Sequence, residues 1–396
     1  MRIVYICDFF HPDAGYHPNL LSKYWTKFGN EVFMLTSELE LMPNSLTKFF
    51  DCNDITNKDR EFTEKYGVKI LRCPIYRCIS GRSVYKKKIF QIIKEINPDV
   101  VYVNGNDSLI GMQLTISYRR NPFGLVMDSH MLDMAATNRF KTLYRRVYRM
   151  IFSKIILRNN IPVIRAQNDD YVEKYLGIPI NHCPWISFGS DMLLFHPNEE
   201  EKNNIREEMG IPKDSFVIIY AGKVNKVKGL DLLANALKEP FITEKNVRIV
   251  IVGSTEGIEG EEIEKSFAVS ENTIIRFPTQ KYVDLPRFYQ MADIAVFPKQ
   301  CSLSFFDVQA CGLPVVFEDN NINIERSGAY NAITFPSSDA SGLRKAIETF
   351  IDMDTEEFIL YKKNAVKYVT DTYNYEDKAK EYIPYLESQA KAKGRI

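Results

Sequence analysis

Short apolar segments alternate with longer amphipathic segments along the whole chain. In the first half, six apolar, β-branched segments are each followed by a loop or a helical pattern. They are Arg2–Cys7, Glu31–Leu35, Val68–Arg72, Val100–Val103, Leu125–Met127 and Val163–Ala166. Strands that alternate with helices in this way indicate βαβ units, and therefore a parallel sheet with helices on its faces.

The same pattern begins again after the polar stretch Asn198–Lys213. The second set of apolar segments is Phe216–Tyr220, Val247–Val252, Thr273–Phe277, Ile294–Phe297 and Pro314–Phe317. We therefore expect an α/β protein with two Rossmann-like doubly wound domains in tandem. We assign residues 1–197 to the first domain and 198–375 to the second, and we expect a C-terminal helix at 376–396 that returns to the first domain.

Length and composition favour a folded protein of the cell interior. The chain has 396 residues, of which 45% are apolar, enough for two or three domains. No segment approaches the ~18 consecutive apolar residues of a membrane span, and the first residues do not resemble a secretory leader. Because the seven cysteines form no metal-binding pattern, we expect a reducing, cytoplasmic compartment.

The zero net charge conceals an asymmetry between the two halves. Residues 1–196 contain 26 Lys and Arg against 19 Asp and Glu, and the remainder contains 25 against 32. In Asn138–Arg158, seven cations alternate with apolar residues, which predicts a basic amphipathic helix. Such a helix can lie on an anionic membrane at the inner face of the plasma membrane, or it can pack on the sheet as an ordinary surface helix. We expect no nucleic-acid partner, because no nucleic-acid-binding motif accompanies the charge.

The segment from Gly222 to Gly229 carries the strongest local signal for chemistry. A strand enters a glycine turn, two lysines follow five positions apart, and a second glycine precedes a helix. Ligands of open α/β sheets lie beyond the carboxyl ends of the strands, so Lys223 and Lys228 could hold a diphosphate. The alternative is a solvated, lysine-rich loop. The segment is neither a P-loop nor a dinucleotide-binding GxGxxG motif.

Five other residues, in the loops and helices that follow strands, are weaker candidates. Gly15 could let backbone amides approach a ligand, or it could simply form a turn. His130 follows a strand, where it could bind a ligand or cap and pack. Ser302 or Ser304 could begin a helix whose free amides face an anion. Asp307 could bind a ribose diol, or it could interact with the helix dipole.

Several enzyme classes are not supported by the sequence. We find no paired carboxylates of the glycoside hydrolase type, no GxSxG elbow and no HExxH helix. Cys301 and Cys311 have no nearby histidine, so they are better interpreted as unreactive thiols.

Six segments, taken in order, resemble the retaining GT-B glycosyltransferases of group 1, the family four class. They are Gly29-Asn30-Glu31-Val32, Ile186–Pro197, Tyr220–Gly229, Ile251-Val252-Gly253, Leu285–Ile294 and Asp307–Val315. The resemblance extends over almost the whole chain. It implies a GT-B fold, in which two Rossmann-like domains face each other across a cleft.

The resemblance also implies an activity. A sugar would move from a UDP- or GDP-linked donor to a glycan or lipid-linked acceptor, with retained anomeric configuration, in surface polysaccharide biosynthesis. The acceptor would attack from the face of the leaving group, and the leaving phosphate would accept its proton. The reaction would need neither a metal nor another cofactor.

Individual roles follow from the same resemblance. Lys223 and Lys228 would hold the diphosphate as it leaves, and His130 would face the donor sugar and the acceptor. The implied donor-binding residues are Gly15, Gly222, Gly253, Thr279, Ser302, Leu303, Ser304 and Asp307.

The chain departs from the family pattern at three positions. Lys299 stands where the family has a glutamate, and the neighbouring Gln300 could contact the sugar through hydrogen bonds only. Asp307 is shorter than the family's second glutamate, and Lys223 cannot form the bidentate contact of arginine. These departures leave open a catalytically weakened member that binds sugar nucleotides or acts as a scaffold. A sugar-nucleotide epimerase with the same fold is a third interpretation.

Overall fold

The chain forms two separately packed units. The computed structural model describes all residues except 44–46, 48–49, 51, 131–139, 300–303, 321–322, 324–325 and 329. Unit 1 comprises Met1–Phe188 and Glu376–Ile396, and unit 2 comprises Gly189–Tyr375. The sequence places the division after Pro197, whereas the packing places it after Phe188.

Unit 1 is built on a parallel sheet of six strands in the order β3-β2-β1-β6-β7-β8. The strands of this unit are β1 Arg2–Ile6, β2 Glu31–Ser37, β3 Lys69–Cys73, β4 Ile75–Ile79, β5 Arg82–Tyr85, β6 Val100–Val103, β7 Gly124–Ser129 and β8 Val163–Arg165. β4 and β5 form a separate antiparallel hairpin. The central strands are apolar along their whole length because helices cover both faces of the sheet.

Seven helices accompany these strands in the described part of Met1–Phe188. They are α1 His17–Lys27, α2 Ile55–Tyr66, α3 Lys88–Ile96, α4 Leu109–Ser117, α5 Lys141–Met150, α6 Phe152–Arg158 and α7 Tyr171–Lys174. The single basic helix expected at Asn138–Arg158 is therefore wrong in its extent: residues 138 and 139 lie outside the described part, and the remainder forms two helices. The break falls at Ile151, whose φ of −113° departs from helical geometry.

Unit 2 repeats the topology of unit 1, with the strand order β11-β10-β9-β12-β13-β14. Its strands are β9 Ser215–Ala221, β10 Asn246–Val252, β11 Ile274–Phe277, β12 Ile294–Phe297, β13 Val315–Glu318 and β14 Ala332–Phe335. Its helices are α8 Glu199–Glu208, α9 Leu230–Ala236, α10 Gly257–Ala268, α11 Leu285–Gln290, α12 Ser304–Ala310, α13 Ala340–Asp352 and α14 Thr355–Thr372. The expected fold class, two doubly wound α/β domains, is confirmed.

The strand order defines where a ligand can enter each sheet. In both units the chain reverses its direction of growth beside the first strand, between β1 and β6 in unit 1 and between β9 and β12 in unit 2. Ligands of doubly wound sheets bind at the carboxyl ends of the strands at such a switch point. The loops that follow these four strands are therefore the first candidates for a site.

The C-terminal segment packs on unit 1 as two helices, α15 Tyr375–Glu381 and α16 Ile383–Lys391. The single helix expected at 376–396 is wrong because Pro384 lacks the N–H that would continue a helix through this point. The indole nitrogen of Trp25 donates a hydrogen bond to the Ala379 carbonyl oxygen at 3.1 Å. Gly124 leaves no room for a side chain, since a Cβ there would lie 2.5 Å from the backbone of Gln389.

None of the helices in the described ranges is both long enough and apolar enough to span a bilayer.

Candidate active site

Two glycines bring the carboxyl ends of β9 and β10 into close contact. The backbone of Gly253 has a φ of +142°, and a Cβ at this position would lie 1.9 Å from the carbonyl oxygen of Gly222. No other residue can occupy position 253 without moving the backbone of the neighbouring loop. The two predicted glycines are therefore adjacent, and they fix the path of the loop that leaves β9.

The lysine-rich segment after β9 is an ordered turn. Residues Lys226–Lys228 form a short 3₁₀ helix, and the Asn225 side chain accepts a hydrogen bond from the Lys228 backbone N–H at 2.9 Å. Gly229 ends the turn with a φ of +75°. A Cβ at this glycine would lie 2.8 Å from the Cβ of Lys299 and 3.1 Å from that of Pro298. The turn therefore packs against the carboxyl end of β12, at the switch point of unit 2.

Lys223 is held by a carboxylate that is not among the residues predicted from the sequence. Its Nζ lies 2.9 Å from Oε1 of Glu256, and the other oxygen of Glu256 accepts a hydrogen bond from Asn225 at 3.0 Å. The Tyr220 hydroxyl donates to the Lys223 carbonyl oxygen at 3.0 Å. Glu256 directly precedes α10 and follows β10 by four residues, so a search of the positions after every strand could have found it.

Lys226 and Lys228 occupy different environments within the turn. Lys226 is exposed, and its Nζ lies 3.6 Å from Oε1 of Glu259. Lys228 is half-buried. The predicted contact of Lys228 with a diphosphate stays a prediction, and its location at the switch point is the arrangement that such a contact requires.

Asp307 is fully enclosed within unit 2. Its carboxylate is 2% exposed and accepts a hydrogen bond from the Ser190 hydroxyl at 2.7 Å. Burial raises the pKa of Asp307 well above its ordinary value, and the nearby Asp191 adds to this effect. The predicted ribose contact would require the carboxyl to exchange this enclosed partner for a ligand, and it stays a prediction.

The other residues of unit 2 predicted to contact the donor differ in their exposure, and some lie outside the described residues. Ser304 begins α12 and is half-buried, while Thr279 and Lys299 are exposed. Gln300, Ser302 and Leu303 lie outside the described residues.

In unit 1, Gly15 lies in the loop after β1. Hydrogen bonds between residues close in sequence hold this loop in place. The Asn19 side chain accepts a hydrogen bond from the Tyr16 backbone N–H at 3.1 Å and donates one to the His11 carbonyl oxygen at 2.9 Å. Gly15 has a φ of +62°, which allows the chain to reverse before α1 begins. The loop therefore presents the N-terminal end of α1 at the carboxyl edge of this sheet.

His130 belongs to a polar cluster at the end of β7. Its Nε2 lies 2.8 Å from Oδ2 of Asp128, and Nε2 of His17 lies 3.7 Å from the same oxygen. Asp128 and His17 are not among the residues predicted from the sequence, although Asp128 lies only two positions before His130. The ligand-type atoms of all three residues lie within 4.8 Å of one another, a spacing at which His and Asp side chains can bind a divalent cation.

A buried carboxyl also follows β1. Asp8 is 9% exposed, and it lies beside Arg82, Ser83 and Asp107, where Arg82 forms an ion pair with Asp107 at 2.6 Å. Burial raises the pKa of Asp8 to about 6, despite the lowering effect of the Arg82 charge.

Parts of the chain are similar to known glycosyltransferases. Residues 215–353 match the model of the family described as Glycosyl transferases group 1. The D-inositol 3-phosphate glycosyltransferase of Xylanimonas cellulosilytica is 29% identical over 164 residues, which are 38% of each chain. The lipopolysaccharide 1,2-N-acetylglucosaminetransferase of Salmonella typhimurium is 28% identical over 111 residues, 26% of this chain and 29% of that protein. The aligned part thus spans less than two fifths of these relatives.

Solved structures match nearly the whole chain. A glycosyltransferase of Rickettsia africae has a TM-score of 0.75 at 14% identity and covers 98% of both chains. Anabaena HepE in complex with UDP-glucose has a TM-score of 0.72 at 17% identity, over 98% of this chain and all of that one. At such low identity the likeness shows the fold, which is GT-B. The group 1 match over residues 215–353 supports the resemblance expected from the sequence.

Proposed function

We propose that this protein is a glycosyltransferase that moves a sugar from a nucleotide-diphosphate donor to a glycan or lipid-linked acceptor. The observation that carries the proposal is the ordered turn between Gly222 and Gly229, which places a lysine at each end of the switch-point loop. Ammonium groups at this point would neutralise the charge that develops on the departing diphosphate. Two such cations could supply the charge that other transferases obtain from a metal ion, so we propose that the reaction is metal-independent.

The group 1 resemblance supports the finer features of the proposal. A retaining reaction suits a site in which the leaving phosphate itself accepts the proton of the acceptor, because no protein base is then needed on that face. UDP is the first donor nucleotide to test, since HepE was solved with UDP and with UDP-glucose. The name of the Salmonella relative supports an acceptor in a surface polysaccharide.

A second proposal concerns location. Four large apolar side chains on and beside α5 are 45–63% exposed, namely Phe140, Leu143, Met150 and Ile151. Exposed cations lie among them or follow on α6: Arg146, Arg149, Lys154 and Arg158. Exposed apolar and cationic side chains together favour an anionic lipid surface. We therefore propose a cytoplasmic protein that binds the inner face of the plasma membrane peripherally.

Not every cation of this segment is available to lipid. The guanidinium of Arg145 lies 3.9 Å from the ring centre of Tyr175. Arg149 donates hydrogen bonds to the carbonyl oxygens of Tyr175 and Lys174. These two cations therefore support the packing of α7, and Arg146 is the better choice for a test of membrane binding.

The weakened-enzyme alternative rests on Lys299. It is exposed beside the Gly229 turn, where the family pattern has a glutamate. A lysine there cannot accept hydrogen bonds from sugar hydroxyls. A protein of this kind would bind a sugar nucleotide tightly without turnover.

A panel of UDP- and GDP-sugars separates the two alternatives. Thermal shift measures binding, since a ligand specific for the native state raises the melting temperature. Release of free nucleotide, with and without a lipid-linked acceptor fraction, measures turnover. We expect a shift with one donor class and acceptor-dependent release. Binding with no release under any condition would support the weakened member, and no binding of any nucleotide would overturn both.

A further inference from the structure

The carboxylate of Asp128 lies at the centre of a buried network at the end of β7. It is 0% exposed. Its Oδ1 accepts a hydrogen bond from the Gly105 backbone N–H at 2.6 Å, and its Oδ2 accepts one from the Tyr102 hydroxyl at 2.5 Å. Nε2 of His130 lies 2.8 Å from the same Oδ2. Each oxygen of the carboxylate therefore has a defined neighbour, and one of those neighbours is the imidazole ring predicted to meet substrate.

The imidazole of His130 is enclosed on several sides. Its ring stacks on Phe188 with centres 5.4 Å apart and planes inclined by 8°. The ring of His17 meets it edge-on, with a centre-to-centre distance of 5.1 Å. Nε2 of His130 is buried, whereas 26% of the side chain is exposed. The exposed part of the side chain therefore lies away from Nε2.

The charges in the network are set by burial and by contact. Burial alone would raise the pKa of Asp128, but the adjacent imidazoles and the Tyr102 hydroxyl outweigh it and hold that pKa below its ordinary value. Burial and the charge of His130 lower the pKa of His17 to about 3. The network thus contains an ionised carboxylate and a neutral His17 at neutral pH. Of the two imidazoles, only that of His130 lies within hydrogen-bond distance of Asp128.

A divalent cation is the competing occupant, because His17, Asp128 and His130 are spaced as ligands. A cation on Oδ2 of Asp128 would have to displace either the Tyr102 hydroxyl or the His130 nitrogen, which both lie against that oxygen. The hydrogen bond at Oδ1 holds the carboxylate in its present orientation. The contacts therefore favour a proton network over a metal site.

We propose that Asp128 is a positioning residue, which holds His130 as the Nε2–H tautomer and presents its Nδ1 to the sugar or the acceptor. The bond made by one ring nitrogen decides which nitrogen carries the proton. With the proton on Nε2, the ring nitrogen that lies 2.8 Å from the Asp128 carboxylate, Nδ1 of the neutral ring is an acceptor, and it accepts a hydrogen bond from a sugar hydroxyl. The inference rests on the proposed function only for the identity of that ligand.

The tautomer can be measured without any activity. The full chain is labelled with [¹⁵N]histidine, and long-range ¹H–¹⁵N correlations are recorded at pH 8.5, where an ordinary imidazole is neutral. Loss of the signal in His130→Gln identifies His130. We expect the Nε2–H form in the wild-type protein and a mixture of tautomers, or the Nδ1–H form, in Asp128→Asn. The Asn amide can offer an N–H as well as an oxygen to the ring.

Two variants serve as controls. Tyr102→Phe keeps the carboxylate and should keep the Nε2–H form, which tests the network even if Asp128→Asn folds poorly. Asp59→Asn removes a carboxylate that pairs with Arg72 at 2.7 Å elsewhere in unit 1, and it should change nothing at His130. An unchanged tautomer in a folded Asp128→Asn protein would overturn the proposal. Stoichiometric binding of Zn²⁺ by the wild-type protein, lost in Asp128→Asn, would replace it with a metal site.

Kinetics then connect the network with transfer. In Asp128→Asn we expect kcat to fall roughly 10- to 100-fold, because a misplaced contact group costs about that much. The KM for the donor should change about twofold or less, and the pH profile of kcat should change shape, unlike that of Asp59→Asn. If the wild-type protein transfers no sugar, the proposed function fails while the tautomer measurement still decides the role of Asp128.

Discussion

Nζ of Lys223 lies 2.9 Å from Oε1 of Glu256, so the first lysine of the proposed diphosphate clamp is ion-paired before any donor binds. The two side chains are 44% and 23% exposed. A pair this accessible to water stabilises the protein by about 1 kcal/mol at most. An incoming diphosphate, which carries more charge, can therefore take Lys223 from Glu256 at little cost.

This competition leads to a prediction for Glu256→Gln. The glutamine keeps an oxygen for Asn225 but no longer neutralises Lys223. We expect UDP to bind about two- to fivefold more tightly. This change in affinity corresponds to the free energy of about 1 kcal/mol or less that an exposed ion pair contributes. Isothermal titration with UDP measures the change. Glu259→Gln, which removes the more distant partner of Lys226, is the control and should have a smaller effect. Weaker UDP binding in Glu256→Gln would show that Glu256 supports the clamp instead of competing with it.

Lys228 and Lys226 provide a matched pair within one turn. Lys228→Ala should lower kcat/KM for the sugar nucleotide by about 100-fold or more, because the leaving diphosphate loses a fixed counter-charge. Lys226→Ala removes an exposed lysine two positions away and should cost about threefold or less. Steady-state transfer assays measure both, and circular dichroism checks that both variants fold. Equal losses in the two variants would mean that general positive charge matters and that Lys228 has no specific contact.

The exposed face of α5 is tested with vesicles. Leu143, Arg146 and Met150 lie three or four positions apart and share one side of the helix. The variant L143S/R146Q/M150S should lose most of its co-sedimentation with phosphatidylglycerol vesicles. Ile116→Ser removes an equally exposed apolar side chain from α4 and should not change binding. Unchanged sedimentation of the triple variant would exclude this face as the membrane contact.

The lowered pKa of His17 predicts that the protein loses stability in acid. Its pKa of about 3 in the folded protein lies below the ordinary value, so the unfolded chain binds a proton first as pH falls. Stability is unaffected above about pH 6.5 and is lost progressively below it, by about 3 kcal/mol between pH 7.5 and 4.5. Urea unfolding at the two pH values measures this. His17→Gln, which cannot titrate, should show a correspondingly smaller loss, and an identical loss would place the titrating group elsewhere.

The raised pKa of Asp8 predicts the opposite dependence of stability on pH. Its pKa of about 6 in the folded protein lies above the ordinary value, so the folded protein retains the proton longer as pH rises. Its contribution favours the folded state at pH 4 and is lost as pH rises to 7, by about 2 kcal/mol. Relative to wild type, Asp8→Asn should therefore gain stability over this range. A constant difference between the two proteins from pH 4 to 7 would contradict the shift.

Much of the fold follows from the sequence alone. Val100–Val103 and Ile294–Phe297 are strands with the predicted bounds, because a fully buried parallel strand is apolar at every position. The hairpin of β4 and β5 was missed, since its positions alternate between polar and apolar less regularly. Strand β14 was missed for a related reason: it lies at the sheet edge and three of its four residues are partly exposed.

The sequence also determined where chemistry could occur, because the carboxyl ends of parallel strands meet at one edge. It could not show which side chains meet there. Glu256 reaches Lys223 only through a contact between neighbouring loops, and the enclosure of Asp307 depends on Ser190, 117 positions away in the chain. Local patterns record propensity and burial, which are properties of short segments. Partners, protonation and access depend on distances that exist only after the sheets have formed.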